Sequence, residues 1–153
     1  MTKALADLFA SAQAARVDWD GAPAYAIFEM DQPPEAVTVE FLSSVQIPVQ
    51  GLTLKLSGGT LEINGSKGPE MILWSDTVPE RVGVRVLSTA ATTVTLKIWN
   101  TWRATMGGVD VTQAWLGNAG MRVDRHGNEV LLRCSDGEGP VDFRDLEVRI
   151  TFG

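Results

Sequence analysis

Apolar and polar positions alternate along most of this chain, and the period of the alternation changes once. Leu5, Leu8, Phe9, Ala12 and Ala15 recur at spacings of three and four, the period of a helix with one apolar face. The spacing predicts an amphipathic helix over Thr2 to Arg16, with Thr2 as N-cap and with Asp7 early and Arg16 late, as the helix dipole favours. Such a helix is expected to cover an open end or edge of a sheet, with an oligomer contact as the alternative.

From Ala24 onward the period is two, and short apolar runs are cut by Pro, Gly, Asn and Asp. Strands are predicted over Ala24 to Met30, Val37 to Leu42, Leu52 to Ser57, Thr60 to Ile63, Met71 to Trp74 and Val82 to Leu87. Further strands are predicted over Thr93 to Arg103, Thr112 to Leu116, Met121 to Asp124, Glu129 to Cys134 and Leu146 to Phe152. Gly58-Gly59 reads as a two-residue hairpin turn that pairs Lys55 with Glu62, Leu56 with Leu61 and Leu54 with Ile63.

The longest run, Thr93 to Arg103, reads as the central strand. Val94, Leu96 and Ile98 share one parity and Thr95, Lys97 and Thr101 the other, as in a sheet with one buried face. Continued to its end, the alternation turns Asn100 and Trp102 inward and Trp99 and Arg103 outward. A β-bulge after Leu96 would exchange these roles.

Around ten short strands after a single helix predict an all-β fold: an antiparallel β-sandwich of the jelly-roll kind with one N-terminal amphipathic helix. Residues 1–153 read as one domain, with residues 1–17 packed on it or extending from it. Asp31-Gln32-Pro33-Pro34 is a short stiff turn, and no repeat or low-complexity segment interrupts the chain.

Composition narrows the partners. At 153 residues, 44% hydrophobic and 21% charged, the chain is long enough to bury a core without metal or disulfide support. The net charge of -6 and the lack of a basic run argue against nucleic acid. The single cysteine, Cys134, forms no internal disulfide, which leads to the expectation of a cytoplasmic location. Ala12-Gln13-Ala14 imitates a signal cleavage site, but Asp7 interrupts the apolar core such a signal needs. No apolar run has the length of a membrane span.

Catalytic signals are weak. His126 and Cys134 lie eight residues apart along one strand, so at ~3.3 Å per residue they are roughly 26 Å apart. A catalytic dyad needs about 3 Å. Gly65-Ser66-Lys67-Gly68 reads as a turn rather than a phosphate cradle. Ser135 to Asp142 gathers carboxylates in a Gly-rich loop, which reads either as turn geometry or as a calcium loop. No metal or other cofactor and no enzymatic activity are expected.

Aromatic residues are the remaining signal. Trp74, Trp99, Trp102 and Trp115 fall at or near predicted strand ends beside polar groups: Asp76, Asn100, Arg103 and Asn118. An indole can cover the apolar face of a sugar ring while amides, carboxylates and guanidinium groups bind its hydroxyls. The alternative for any one of them is a core residue whose N–H needs a partner.

The segments Ile72 to Pro79, Leu96 to Arg103 and Asp142 to Val148 resemble the jelly rolls of the galactose-binding-like type. The resemblance implies a sandwich of the kind found in lectins, carbohydrate-binding modules and adhesion domains, with a ligand site at one end and in some members a structural calcium. The reading that follows is a non-catalytic module for a carbohydrate or other small polar ligand, held by Trp99, Arg103, Trp74, Asp76, Trp115 and Asn118. The alternative is a structural or protein-interaction domain, with a homo-oligomer as one form of it.

Overall fold

The computed structural model describes residues 3–88 and 93–153. In chain order, α1 (Leu5–Ala12) leads into β1 (Arg16–Trp19), β2 (Ala22–Tyr25), β3 (Phe28–Asp31), β4 (Ala36–Ser44) and β5 (Val49–Ser57). Next come β6 (Gly59–Ile63), β7 (Ser66–Gly68), β8 (Glu70–Trp74), β9 (Arg81–Ser88) and β10 (Thr95–Met106). The chain ends with β11 (Val109–Gln113), β12 (Gly120–His126), β13 (Glu129–Ser135) and β14 (Leu146–Phe152).

These strands form two antiparallel sheets that do not close into a barrel, so the fold is an all-β sandwich. The larger sheet has nine strands in the order β1-β2-β12-β13-β14-β4-β9-β6-β7. The smaller runs β11-β10-β5-β8, with β3 joined to β10 beside β11. Alternate residues of both sheets meet in one core: Leu52, Leu54, Leu96 and Ile98 from the smaller sheet, and Val39, Leu132, Val148 and Ile150 from the larger.

β10 is the central strand of the smaller sheet. It pairs with β5 from Thr95 to Arg103 without a break in register, and on its other side with β3 and then with β11. With no bulge to invert the parity, Leu96, Ile98, Asn100 and Trp102 face the core and Lys97, Trp99, Thr101 and Arg103 face away from it. The twelve-residue length of β10 carries its last residues past the covered part of the core: Thr105 and Met106 are exposed.

The helix is shorter than the predicted span. Gln13 adopts the left-handed conformation (φ 51°, ψ 42°), and the amides of Gln13 and Ala14 close back onto the carbonyls of Ala10 and Phe9. Ala14 and Ala15, which looked like further helix, instead lead into β1, a four-residue strand too short to show a period. The expected cap, Thr2, lies outside the described residues; the observed N-cap position is Ala4, which has no side-chain cap. Leu5 is wholly buried and packs, with Phe9, over Gly120 at the start of β12.

The Gly58-Gly59 hairpin is corrected as well. β5 and β6 belong to different sheets, so the glycine pair is a corner across the sandwich rather than a turn within one sheet. Leu56 and Leu61 both point into the core from opposite layers, which satisfies the same apolar pattern that suggested cross-strand pairing. Lys55 pairs with Lys97 on one side and Glu70 on the other, while Glu62 binds Lys67 and Arg85 in the other sheet. Gly58 has φ +86°, and a side chain there would strike the carbonyl of Thr93.

Three smaller differences bear on the site. Ala24 to Met30 is split at Ala26-Ile27, sending β2 to the larger sheet and β3 to the smaller. Ser66 to Gly68, read as a turn, forms β7 against β6. The strand expected over Thr112 to Leu116 is shifted to Val109–Gln113, which leaves Trp115 and Leu116 in the loop that follows it.

Candidate functional site

The away-facing side of the smaller sheet gathers five of the six residues singled out above, in two groups. In the first, the Arg103 guanidinium lies over the Trp74 ring, 4.6 Å from its centroid. It also binds Asp76 through two parallel contacts, Nη1 to Oδ2 at 2.9 Å and Nη2 to Oδ1 at 3.3 Å. Gly51 makes this possible: a Cβ there would come within 2.6 Å of Trp74 Cε3, so the indole can lie flat only on a bare backbone. The fork and the stack together leave the cation satisfied, and an incoming anion would have to displace Asp76.

The second group is a pair of indoles. Trp99 faces away from the core as its parity requires, yet it is only 7% exposed. The expectation of an open Trp99 surface is corrected by Trp115, whose ring lies 4.8 Å from that of Trp99 at an angle of 36°. Trp115 is 46% exposed and has φ +57°, a conformation costly for a bulky side chain, and its Nε1 donates to the Ala26 carbonyl at 3.0 Å. Thr53 and Thr101 lie beside these rings with buried hydroxyls that have no hydrogen-bond partner among the described residues.

Asn118, the sixth residue, is engaged elsewhere. Its Oδ1 accepts from the Leu5 amide at 3.3 Å, and its Nδ2 donates to the Gly139 carbonyl at 2.9 Å. It supplies from a distant loop the helix cap that Ala4 cannot.

On the core side, β10 and β5 end in a polar cluster. Gln50 Nε2 donates to Asp136 Oδ2 and to the Pro48 carbonyl, both at 2.9 Å, and Asn100 Nδ2 donates to the Ser135 carbonyl at 2.8 Å. Gln50 Oε1 and Trp102 Nε1 are buried without hydrogen-bond partners among the described residues. In the Ser135 to Asp142 loop the carboxylates turn toward backbone donors: Asp136 accepts from the Glu138 amide and Asp142 from the Arg144 amide. Among the described residues no three His, Cys, Asp or Glu side chains are grouped to hold a metal ion.

Asp145 accepts from the Asp136 amide at 3.0 Å, but burial, and then the charges of Asp136 and Asp142, push its carboxyl up to about 6. Burial also raises the Cys134 thiol far above the usual range, so it stays protonated at neutral pH. His126 lies near the other end of the β12–β13 hairpin, exposed, with its Nε2 3.0 Å from Asp124.

Comparison with known proteins does not extend this picture. No family model matches the chain, and neither the curated proteins nor the solved structures give a significant match.

One cleft went unmarked by the sequence pattern. It lies where the β1–β2–β12 end of the larger sheet faces β3, and has a volume of about 540 Å³, with a neighbouring hollow of about 550 Å³ between β3 and the β12–β13 turn. Arg125 borders both hollows. The signal was present in β12, where Met121, Val123 and Arg125 share the parity that faces the core, so that an arginine occupies the third position of an apolar row.

Proposed function

We propose that this chain is a non-catalytic interaction domain that self-associates through the free edge of β11. The observation that carries this reading is the overhang of the β10–β11 hairpin. Beyond Trp102 the core-facing row of β10 continues through Ala104 and Met106, paired with Val111 and Val109. Met106 is 59% exposed and Val109 66%, so an apolar face built like the core extends past it.

The chemistry of the surrounding surface agrees. Between Arg103 and Arg122 the only charged residue is Asp110, in a chain where 21% of residues are charged. Interface centres are depleted in charge and enriched in Met and aromatic residues. The free edge of β11 has no lysine, proline or bulge of the kind that keeps edge strands apart. Two copies paired antiparallel about Val111 would set Asp110 opposite Thr112 of the second copy and Val109 opposite Gln113, so the one carboxylate does not meet itself.

Sedimentation velocity over a range of concentrations tests the proposal. The wild-type chain is expected to dimerise, and Val111→Lys, which sets two ammonium groups opposite each other, to weaken the dimer about tenfold or more while keeping its far-UV spectrum. A wild-type chain monomeric at every concentration, or a Val111→Lys chain that dimerises equally well, overturns it.

The exposed face of Trp115 favours a second reading, a small polar ligand such as a saccharide taken by Trp115 and the Trp74–Asp76–Arg103 group. A bulky residue held at positive φ is the kind of strain that collects at functional sites. The resemblance to galactose-binding-like jelly rolls points the same way. Titration of simple sugars against tryptophan emission, with Trp115→Phe for comparison, decides it: no response to any sugar rules this reading out.

A further inference from the structure

We infer that the cleft between β3 and the β1–β2–β12 end of the larger sheet binds a small molecule with an apolar body and a carboxylate head. None of its lining residues belongs to β10 or β11, so the inference is independent of the self-association above.

The cleft follows from the unequal width of the two sheets. β1, β2 and β12 are the last three strands at one end of the larger sheet, and β3 of the smaller sheet stands across the cleft from them. Strand pairing places Arg16 opposite Tyr25, Tyr25 opposite the buried Met121, and Arg125 opposite the buried Val130. Residues directly opposite in a sheet share a face, so Arg16 and Arg125 both stand on the core-facing side of the larger sheet. The two arginines stand where that face opens to solvent, and both are exposed.

Neither has an ion-pair partner among the described residues. Arg81, Arg85, Arg103, Arg133 and Arg149 each have a carboxylate within 4 Å, and Arg122 donates to three backbone carbonyls. Arg16 has only the Tyr25 ring, at 5.7 Å, and Arg125 has no ion-pair or hydrogen-bond partner among the described residues. Both side chains are exposed at the mouth of the cleft, and of the other arginines only Arg144 likewise has no side-chain ion pair or hydrogen bond among the described residues.

The floor between them is apolar: Ile27, Phe28 and Val123, with Phe28 stacked 6.3 Å from Phe152. The volume of about 540 Å³ lies in the range of small-ligand sites. Two acids set the limit on charge: Glu29 lines the cleft and Asp31 the neighbouring hollow. Asp31 accepts a hydrogen bond from the Thr95 hydroxyl at 2.8 Å, and Glu29 sits opposite Lys97 on β10. A ligand with one anionic head between the arginines and its body on the floor fits this distribution; a polyanion would meet both carboxylates.

Isothermal titration with octanoate, and with 1-octanol as its uncharged counterpart, tests the inference. Octanoate is expected to bind the wild-type chain more tightly than octanol. The Arg16→Gln/Arg125→Gln double variant should lose about tenfold or more of that affinity, the usual worth of a charge-assisted hydrogen bond, and its octanol affinity should not change. Val123→Trp, which fills the floor, should abolish binding of both. No octanoate binding to the wild-type chain, or equal binding to the double variant, overturns the inference.

Discussion

Trp115 covers Trp99 from a loop whose backbone must turn left-handed to bring it there; the two rings lie 4.8 Å apart. The contact makes the away-facing side of the smaller sheet a thin second layer of packing rather than an open surface. Replacing Trp115 with Ala should bare Trp99 and shift tryptophan emission to longer wavelength. The cost in stability should be about 1–3 kcal/mol, below that of a core indole, because Trp115 is half-exposed and its strained φ is eased in part. Emission spectra and urea unfolding check both effects; an unshifted spectrum would mean that something other than Trp115 shields Trp99.

Gln50 is the neutral partner of a buried carboxylate, with its Nε2 2.9 Å from Asp136 Oδ2. Gln50→Leu keeps the approximate volume but strands the Asp136 charge, and should destabilise the chain by roughly 3 kcal/mol. Gln50→Glu should be no better at neutral pH, since it sets a second carboxylate against the first, and should recover part of the loss as the pH falls. Thermal melts of both variants at pH 5 and pH 7.5 separate these outcomes.

Asp145 gives the domain a pH dependence of definite sign. Its carboxyl is pushed up to about 6 from 3.8, so the folded chain holds a proton that the unfolded chain has released. Its contribution to stability is therefore fully present below about pH 4 and is lost as the pH rises through 6. Asp145→Asn should melt higher than the wild type at pH 7.5, with the difference shrinking toward pH 4. An advantage that did not depend on pH would remove Asp145 as its source.

The sandwich was legible where one strand carries its own pattern. β14 alternates Leu146, Val148, Ile150 and Phe152 against polar residues, and the unbroken register of β10 kept its predicted parity to Arg103. Partnership between strands was not legible in the same way. Leu56 and Leu61 satisfy an apolar pairing rule whether they lie side by side in one sheet or face each other across two, and what separates the cases is the partners of their strands, β8 and β10 for β5, β7 and β9 for β6.

The candidate site had the same weakness. Trp74, Asp76 and Arg103 are in contact because strand ends put them near one another. Trp99 was placed on the correct side of the sheet but not under its cover, since the ring above it comes from a loop with no period to read. Asn118 showed only a polar residue beside a glycine; its partner is an amide 113 residues away. Arg125 was passed over because a charge at the end of an apolar row looks like the end of a strand.

The loop from Trp115 to Gly120 touches more of the molecule than its length suggests. Gly117 and Asn118 hold the first turn of α1, Trp115 ties to Ala26 between β2 and β3, and Asn118 reaches Gly139. Slow hydrogen exchange in the first turn of α1 should therefore fail together with that of the loop rather than by fraying alone. Through this one short loop a displacement of α1 would reach the cover over Trp99.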